Sequence, residues 1–177
     1  MRSIPATWMW NLSIPRIWKT GKMWQTIAIF LKLKATIWKN SQTGRYYVAM
    51  SEDKMNYIKT QCLPEFNANS SNNAVALIIT TFETKRAGFE RDGSLTNELG
   101  DKWGAYDLGL QNENLVLKAR EIGYDTLIMG IRDADKLRAG FGIPESQDVV
   151  AVIAVGVRET DAQKPKRKTP EDITKFF

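Results

Sequence analysis

Histidine is absent from the 177 residues, and cysteine occurs once, as Cys62. The first absence excludes His-based zinc sites, Ser-His-Asp triads and Cys-His dyads. The second excludes an intramolecular disulfide framework and a Cys-rich centre, so no metal site is expected. No run of about 18 apolar residues occurs, so no membrane span is expected. No secretory apolar segment ends in a small-residue cleavage site, and we expect a cytoplasmic protein. The Gly-rich dinucleotide fingerprint and the Walker-type phosphate loop are missing too. Chemistry must come from carboxylates, Lys and Arg, backbone groups or a bound cofactor.

Acidic residues are also missing from one end. The first is Glu52, and eight basic residues precede it: Arg2, Arg16, Lys19, Lys22, Lys32, Lys34, Lys39 and Arg45. The net charge of +5 therefore belongs to the N-terminal stretch; beyond it stand 17 basic and 20 acidic residues, a net of −3. Five of the six tryptophans (Trp8, Trp10, Trp18, Trp24, Trp38) share that stretch. With 43% hydrophobic and 25% charged residues, the chain is expected to form one globular domain over 1–177, with 1–37 an atypical basic, Trp-rich segment.

That segment fits a transit peptide poorly. Met23, Ile27, Phe30, Lys34 and Ile37 recur at helical spacing, which suits a core-facing helix or an amphipathic arm on a membrane surface. A Trp/Lys arm for nucleic acid is a third reading. No RNP, zinc or helix-turn-helix signature accompanies it, and no specific nucleic-acid partner is expected.

From Arg45 onward the pattern alternates. Strands are expected over 45–50, 74–82, 126–131 and 149–157. Helices are expected over 52–61 with Ser51 as N-cap, 101–122 with Gly123 as C-cap, and 133–139. The longest is marked by Trp103, Tyr106, Leu110, Asn114, Leu117 and Arg120. The Asn/Ser-rich stretch 64–73 and the Gly-containing stretch 83–100 predict loops. Such alternation implies a sheet flanked by helices.

Four pieces carry a resemblance to a known family. The first is Trp38-Lys39-Asn40-Ser41-Gln42 before a strand. The second is the long helix with Asp107 and Glu113-Asn114-Leu115, ending at Gly123. The third is Gly123-Tyr124-Asp125-Thr126-Leu127-Ile128-Met129-Gly130, then a short helix and Phe141-Gly142-Ile143-Pro144. The fourth is the strand from Val149 to Gly156, then Lys164-Pro165-Lys166-Arg167-Lys168-Thr169-Pro170-Glu171-Asp172. Their order and spacing from Trp38 to Phe177 resemble the nitroreductase family of FMN-dependent NAD(P)H oxidoreductases.

The resemblance implies an α+β fold with a mixed, mainly antiparallel sheet flanked by helices. It implies FMN as cofactor, NAD(P)H as co-substrate and a small electron acceptor such as a nitroaromatic or quinone. It also implies an intertwined homodimer that completes each flavin site from two chains. The flavin carries the chemistry, so no catalytic side chain is assigned. Asn40, Ser41 and Gln42 would lie at the flavin, and Asn67 is a weaker match to another contact. Leu127, Ile128, Met129 and Gly130 would pass its N5–O4 edge, with backbone N–H groups of Met129 and Gly130 as donors. Lys166, Arg167 and Lys168 would meet the phosphate, as would Arg2 and Ser3 from the family's opening Arg-Ser element.

The residues also permit plainer readings. Asn40–Gln42 suits an Asx-type turn, Leu127–Ile131 a buried strand, and the basic triplet a solvated tail. Tyr124 and Phe141 read as core or pocket wall, and Cys62 as an inert half-buried thiol. A non-enzymatic protein whose arm binds membrane or nucleic acid is the rival reading, as is a family member without flavin.

The chain departs from the family near its start. Pro5 stands where a second Arg would be, and an acidic helical stretch is missing. Trp8-Met9-Trp10-Asn11 must be encoded TGG ATG TGG AAY, which shifted by two bases gives Asp-Val-Glu. Permissible codons for Pro15 to Lys19 give Glu-Asp-Leu-Glu in the same shifted frame. We read residues 5–37 as an out-of-frame stretch restored before Trp38; a divergent arm is the alternative.

Overall fold

The computed structural model describes residues 36–160 and 163–177. The helical spacing from Met23 and the frame-shifted reading fall almost wholly, and Arg2 and Ser3 entirely, outside these residues. Two strands with nearly unbroken apolar sequence form the centre: β2 (Ala76–Glu83) and β4 (Gln147–Gly156). They pair antiparallel, Ala76 opposite Val155 and Glu83 opposite Gln147, with a register shift between Thr80 and Thr81. β1 (Gly44–Ala49) adds to β2, and β3 (Asp125–Met129) adds to β4, giving the order β1-β2-β4-β3. All three pairings are antiparallel, so the sheet among the described residues is antiparallel and not mixed.

The central strands lack polar alternation because both faces are covered. On one face Leu77, Ile79, Val152 and Ala154 pack with Ile58, Cys62 and Leu137. These come from the turn after α1 (Glu52–Tyr57) and from a later helix, Ala134–Phe141. On the other face Ile78, Ile153 and Val155 meet Leu115 and Ala119. The period of two sends successive residues to opposite cores, so every position can be apolar.

One expected loop is a helix. Residues 65–70 form α2 (Glu65–Ser70), entered through Pro64. Its Ser70 and Ser71 hydroxyls donate back to the Phe66 and Asn67 carbonyls, and Asn67 is buried and anchored from outside. Asn and Ser disfavour helix interiors by competing for the backbone; here those bonds close a single short turn.

The long helix, α3 (Lys102–Glu121), forms as expected, and Gly123 (φ 89°) ends it in the left-handed conformation glycine favours. Its apolar stripe does not face the core, however: Tyr106, Leu110 and Leu117 are exposed. The buried face carries Gly104, Asp107, Leu108, Gln111, Asn112, Leu115 and Ala119. The helix α4 (Ala134–Phe141) is capped by Asp133, whose side chain accepts from the Lys136 N–H. The tail carries α5 (Pro170–Ile173), opened by a Thr169–Asp172 capping box.

Candidate functional site

Residues spaced four apart on a helix share one face. Trp103, Asp107 and Gln111 form such a row on α3, and the chain from Trp38 to Tyr46 lies along it. The Trp38 indole stacks on Trp103 with centroids 4.2 Å apart and planes at 22°. The Asp107 carboxylate accepts from the Trp38 backbone N–H at 2.9 Å and from the Ser41 hydroxyl at 3.0 Å. Tyr46 donates its hydroxyl to Gln111 Oε1 at 3.3 Å. Gly44 allows this approach, since a Cβ there would collide with the Gln111 side-chain oxygen. Burial raises the Tyr46 hydroxyl pKa well above its ordinary value.

The loop held by this row has an unusual backbone. Lys39, Asn40 and Gln42 have φ of 52°, 51° and 49°. The left-handed region costs an L-residue roughly 1–2 kcal/mol, less for Asn, and three such residues in four positions persist only where neighbours enforce them. The Asx-turn reading is therefore too simple. Lys39 reaches outward to Glu90 at 2.8 Å and Thr96 at 3.0 Å, and its ammonium lies 4.8 Å from the Trp38 ring centroid. Those partners hold the Glu90 carboxyl below its ordinary pKa. Asn40 and Gln42 are exposed, and Gln42 donates its amide to Asn40 Oδ1 at 3.3 Å. The loop thus presents neutral amides to solvent on a held backbone.

A second group gathers where β3 ends. Leu127 packs against the core, Ile128 is exposed, and Met129 is buried. Gly130 follows, and a Cβ placed on it would meet no protein atom within 4 Å. β3 has one strand neighbour among the described residues, so its other edge is unpaired there. The plain buried-strand reading fails at Ile128 and Gly130, both exposed. Asn67 braces this end, donating its amide to the Ile131 carbonyl at 3.1 Å. Its amide N–H is thus turned to the protein backbone. Arg132 donates to the Val149 carbonyl. Cys62 is fully buried, and its carbonyl accepts from the Asp133 N–H at 2.8 Å. Burial, with Asp133 nearby, pushes its thiol up to about 11, as an inert core cysteine requires. Tyr124 is core, and Phe141 packs beside Tyr57.

The basic triplet stands apart. Lys166, Arg167 and Lys168 are exposed, and none makes an ion pair among the described residues.

These placements separate the expected contacts. Asn40, Ser41 and Gln42 precede Gly44, whose partner Phe82 lies opposite Asp148. Gly130 follows Met129, which lies opposite Val152. The two groups sit on opposite edges, three strand spacings or roughly 14 Å across the sheet, and Met129 stands four residues further along β4 than the level of Gly44. The scaffold residues Trp103 and Gln111 were not singled out as site residues. Their spacing with Asp107 was visible, but the partners of that row lie more than sixty residues away in the chain.

Comparison with known proteins places the fold. Searching by sequence finds no match among curated proteins. Among solved structures, a nitroreductase from Exiguobacterium sibiricum in complex with FMN has TM-score 0.75 and 20% identity, covering 99% of this chain and 93% of that one. A protein of Staphylococcus epidermidis described as an NAD(P)H:FMN oxidoreductase has TM-score 0.75 and 21% identity, over 96% and 89%. A nitroreductase family protein from Streptococcus pneumoniae has TM-score 0.74 and 16% identity, over 98% and 96%. At such identities these likenesses concern the fold. The family profile rests on the sequence itself: residues 35–157, spanning the held loop, all four strands and the row on α3, match it. This chain belongs to the nitroreductase family.

Proposed function

We propose that this chain is an oxidoreductase that uses FMN to carry a hydride from NAD(P)H to a small electrophile, such as a nitroaromatic or quinone, in two successive half-reactions. The observation that carries the reading is Gly130. In a family member, the open space beside this residue, at the end of an edge strand, suits the close approach of a flat ring to the backbone. Bound FMN would supply a ring nitrogen that takes up a hydride and gives it away again.

The chain's own residues fit binding and orientation. The backbone N–H groups of Met129 and Gly130 would donate to the ring edge. The exposed amides of Asn40 and Gln42 would bond its rim without adding charge. Lys166, Arg167 and Lys168, which have no carboxylate partner among the described residues, would take the phosphate. The names of the two FMN-linked structures support the choice of FMN and NAD(P)H.

A homodimer is part of the proposal. The loop and Gly130 are separated by roughly 14 Å across the sheet alone, wider than the flavin's fused rings, and are further offset along the strands, so one ring would meet both groups only if they came from two copies. The exposed row of Tyr106, Leu110 and Leu117 on α3, and Ile173, Phe176 and Phe177 in the tail, supply apolar surface for a second copy to cover.

The test is the visible spectrum of purified protein after FMN addition and desalting. Retained flavin absorbance that NAD(P)H bleaches supports the proposal. Protein that leaves the column colourless contradicts it.

A further inference from the structure

We infer that Asp107 is the positioning residue of the Trp38–Gln42 loop: it fixes the backbone from which Asn40 and Gln42 are presented, without itself touching ligand. Asp107 is 1% exposed. Its two oxygens are used separately, one by the Trp38 N–H and one by the Ser41 hydroxyl. These partners flank the left-handed pair Lys39 and Asn40, and the third left-handed residue, Gln42, follows directly. Ser41 also donates its N–H to the Trp38 carbonyl at 3.2 Å, and that carbonyl, 3.1 Å from the Ser41 hydroxyl oxygen, shares the one hydroxyl proton with Asp107. The loop is thus closed on itself and tied at both ends to one carboxylate. The alternative restraints are weaker: the Lys39–Glu90 pair is exposed, and the Trp38–Trp103 stack holds a ring while leaving the backbone dihedrals free.

A carboxylate suits this role because it offers only acceptors. An Asn at 107 would accept from the Trp38 N–H and donate to the Ser41 hydroxyl oxygen, a neutral and weaker hold than the carboxylate's. An Ala at 107 would deprive the part-buried Trp38 N–H of its acceptor, which is costly, so the Trp38 amide would seek another conformation. The function served, presentation of amides to a flavin, rests on the proposal above; the hold on the loop does not.

The experiment compares wild type with Asp107→Ala, Asp107→Asn and Ser41→Ala, measured two ways. Amide hydrogen exchange across 38–42 is followed without ligand, with β2 and β4 peptides as internal reference. FMN dissociation constants are then taken by fluorescence quenching. We expect exchange across 38–42 to accelerate at least about tenfold in Asp107→Ala, with Asp107→Asn and Ser41→Ala intermediate and the reference strands unchanged. FMN affinity should fall in the same order, with a shifted flavin absorption band in the intermediate variants. If Asp107→Ala does not fold, the order of the other two against wild type decides. Unchanged loop exchange in the variants that fold overturns the inference. Accelerated exchange together with a wild type that binds no FMN sustains the positioning role and overturns the flavin reading alone.

Discussion

The Trp38–Gln42 loop and the Leu127–Ile131 segment lie on opposite edges of the same sheet and keep their shapes by different means. The second is the continuation of a strand: ladder pairing with β4 sets its backbone, and Asn67 pins the residue after Gly130. The first has three left-handed residues and takes its shape from a carboxylate on α3. A strand end presents backbone groups at little cost. A loop that presents side-chain amides in a disfavoured conformation needs a scaffold elsewhere in the chain, and the buried polar face of α3 is that scaffold.

Both regions hang on the shared central strands, which sets the largest expected effect. Ile153→Ala in β4 removes a fully buried side chain and should cost about 2–5 kcal/mol in urea unfolding, loosening both edges together. A variant that loosened one edge alone would break the picture of a common core.

Gly130→Val should separate binding from folding on the β3 side. The space beside Gly130 is open, and its φ is not positive, so stability should change by less than about 1 kcal/mol. FMN affinity should fall by at least about 100-fold, or about 2.7 kcal/mol. Parallel titrations and melts check this; tight binding by the folded variant would remove Gly130 from the site.

Gln42→Gly should change stability as well as binding on the loop side. Glycine accepts the left-handed backbone, so the variant should gain up to about 1 kcal/mol in thermal or urea unfolding while binding FMN less well, because the amide is gone. A loss of stability would show that the loop is not strained at this position.

The smallest effects are in pH: one support of the loop fails in acid and one behind β3 fails in alkali, where the buried Tyr46 hydroxyl beside the loop adds to the fall. The Glu90 carboxyl, held low by Lys39 and Thr96, supports the loop above its ordinary value of 4.5, and that support is lost as pH falls through the lowered pKa. Cys62 behind β3 is raised from 9.0 to about 11, so its contribution is complete below pH 9 and is lost as pH rises toward 11. Hydrogen exchange across the range should show residues 38–42 loosening first in acid. The alkaline fall in urea stability should be shallower in Cys62→Ala than in wild type.

Local pattern made the regular elements legible. The runs at 74–82 and 149–157 fall on the central strands, and Gly123 ends the long helix. Three features were hidden because their causes are long-range. The helix at Glu65–Ser70 is anchored by a carbonyl 64 residues from Asn67. The apolar row on α3 faces outward because the polar residues Asp107, Gln111 and Asn112 are the ones inside. The site expectation named Asn40, Ser41 and Gln42 but gave Asp107 no role, since its two bonds cross 69 and 66 residues of chain.

The central claim is that one flavin is held between the loop of one copy and the β3 end of another. Mixing Gly130→Val with Asp107→Ala protein, each expected to lose FMN on desalting, tests it directly. A site shared between copies predicts that the mixed dimer regains flavin, one FMN per two chains by native mass spectrometry. A mixture that stays colourless while forming mixed dimers would place both groups in one chain's site and contradict the account.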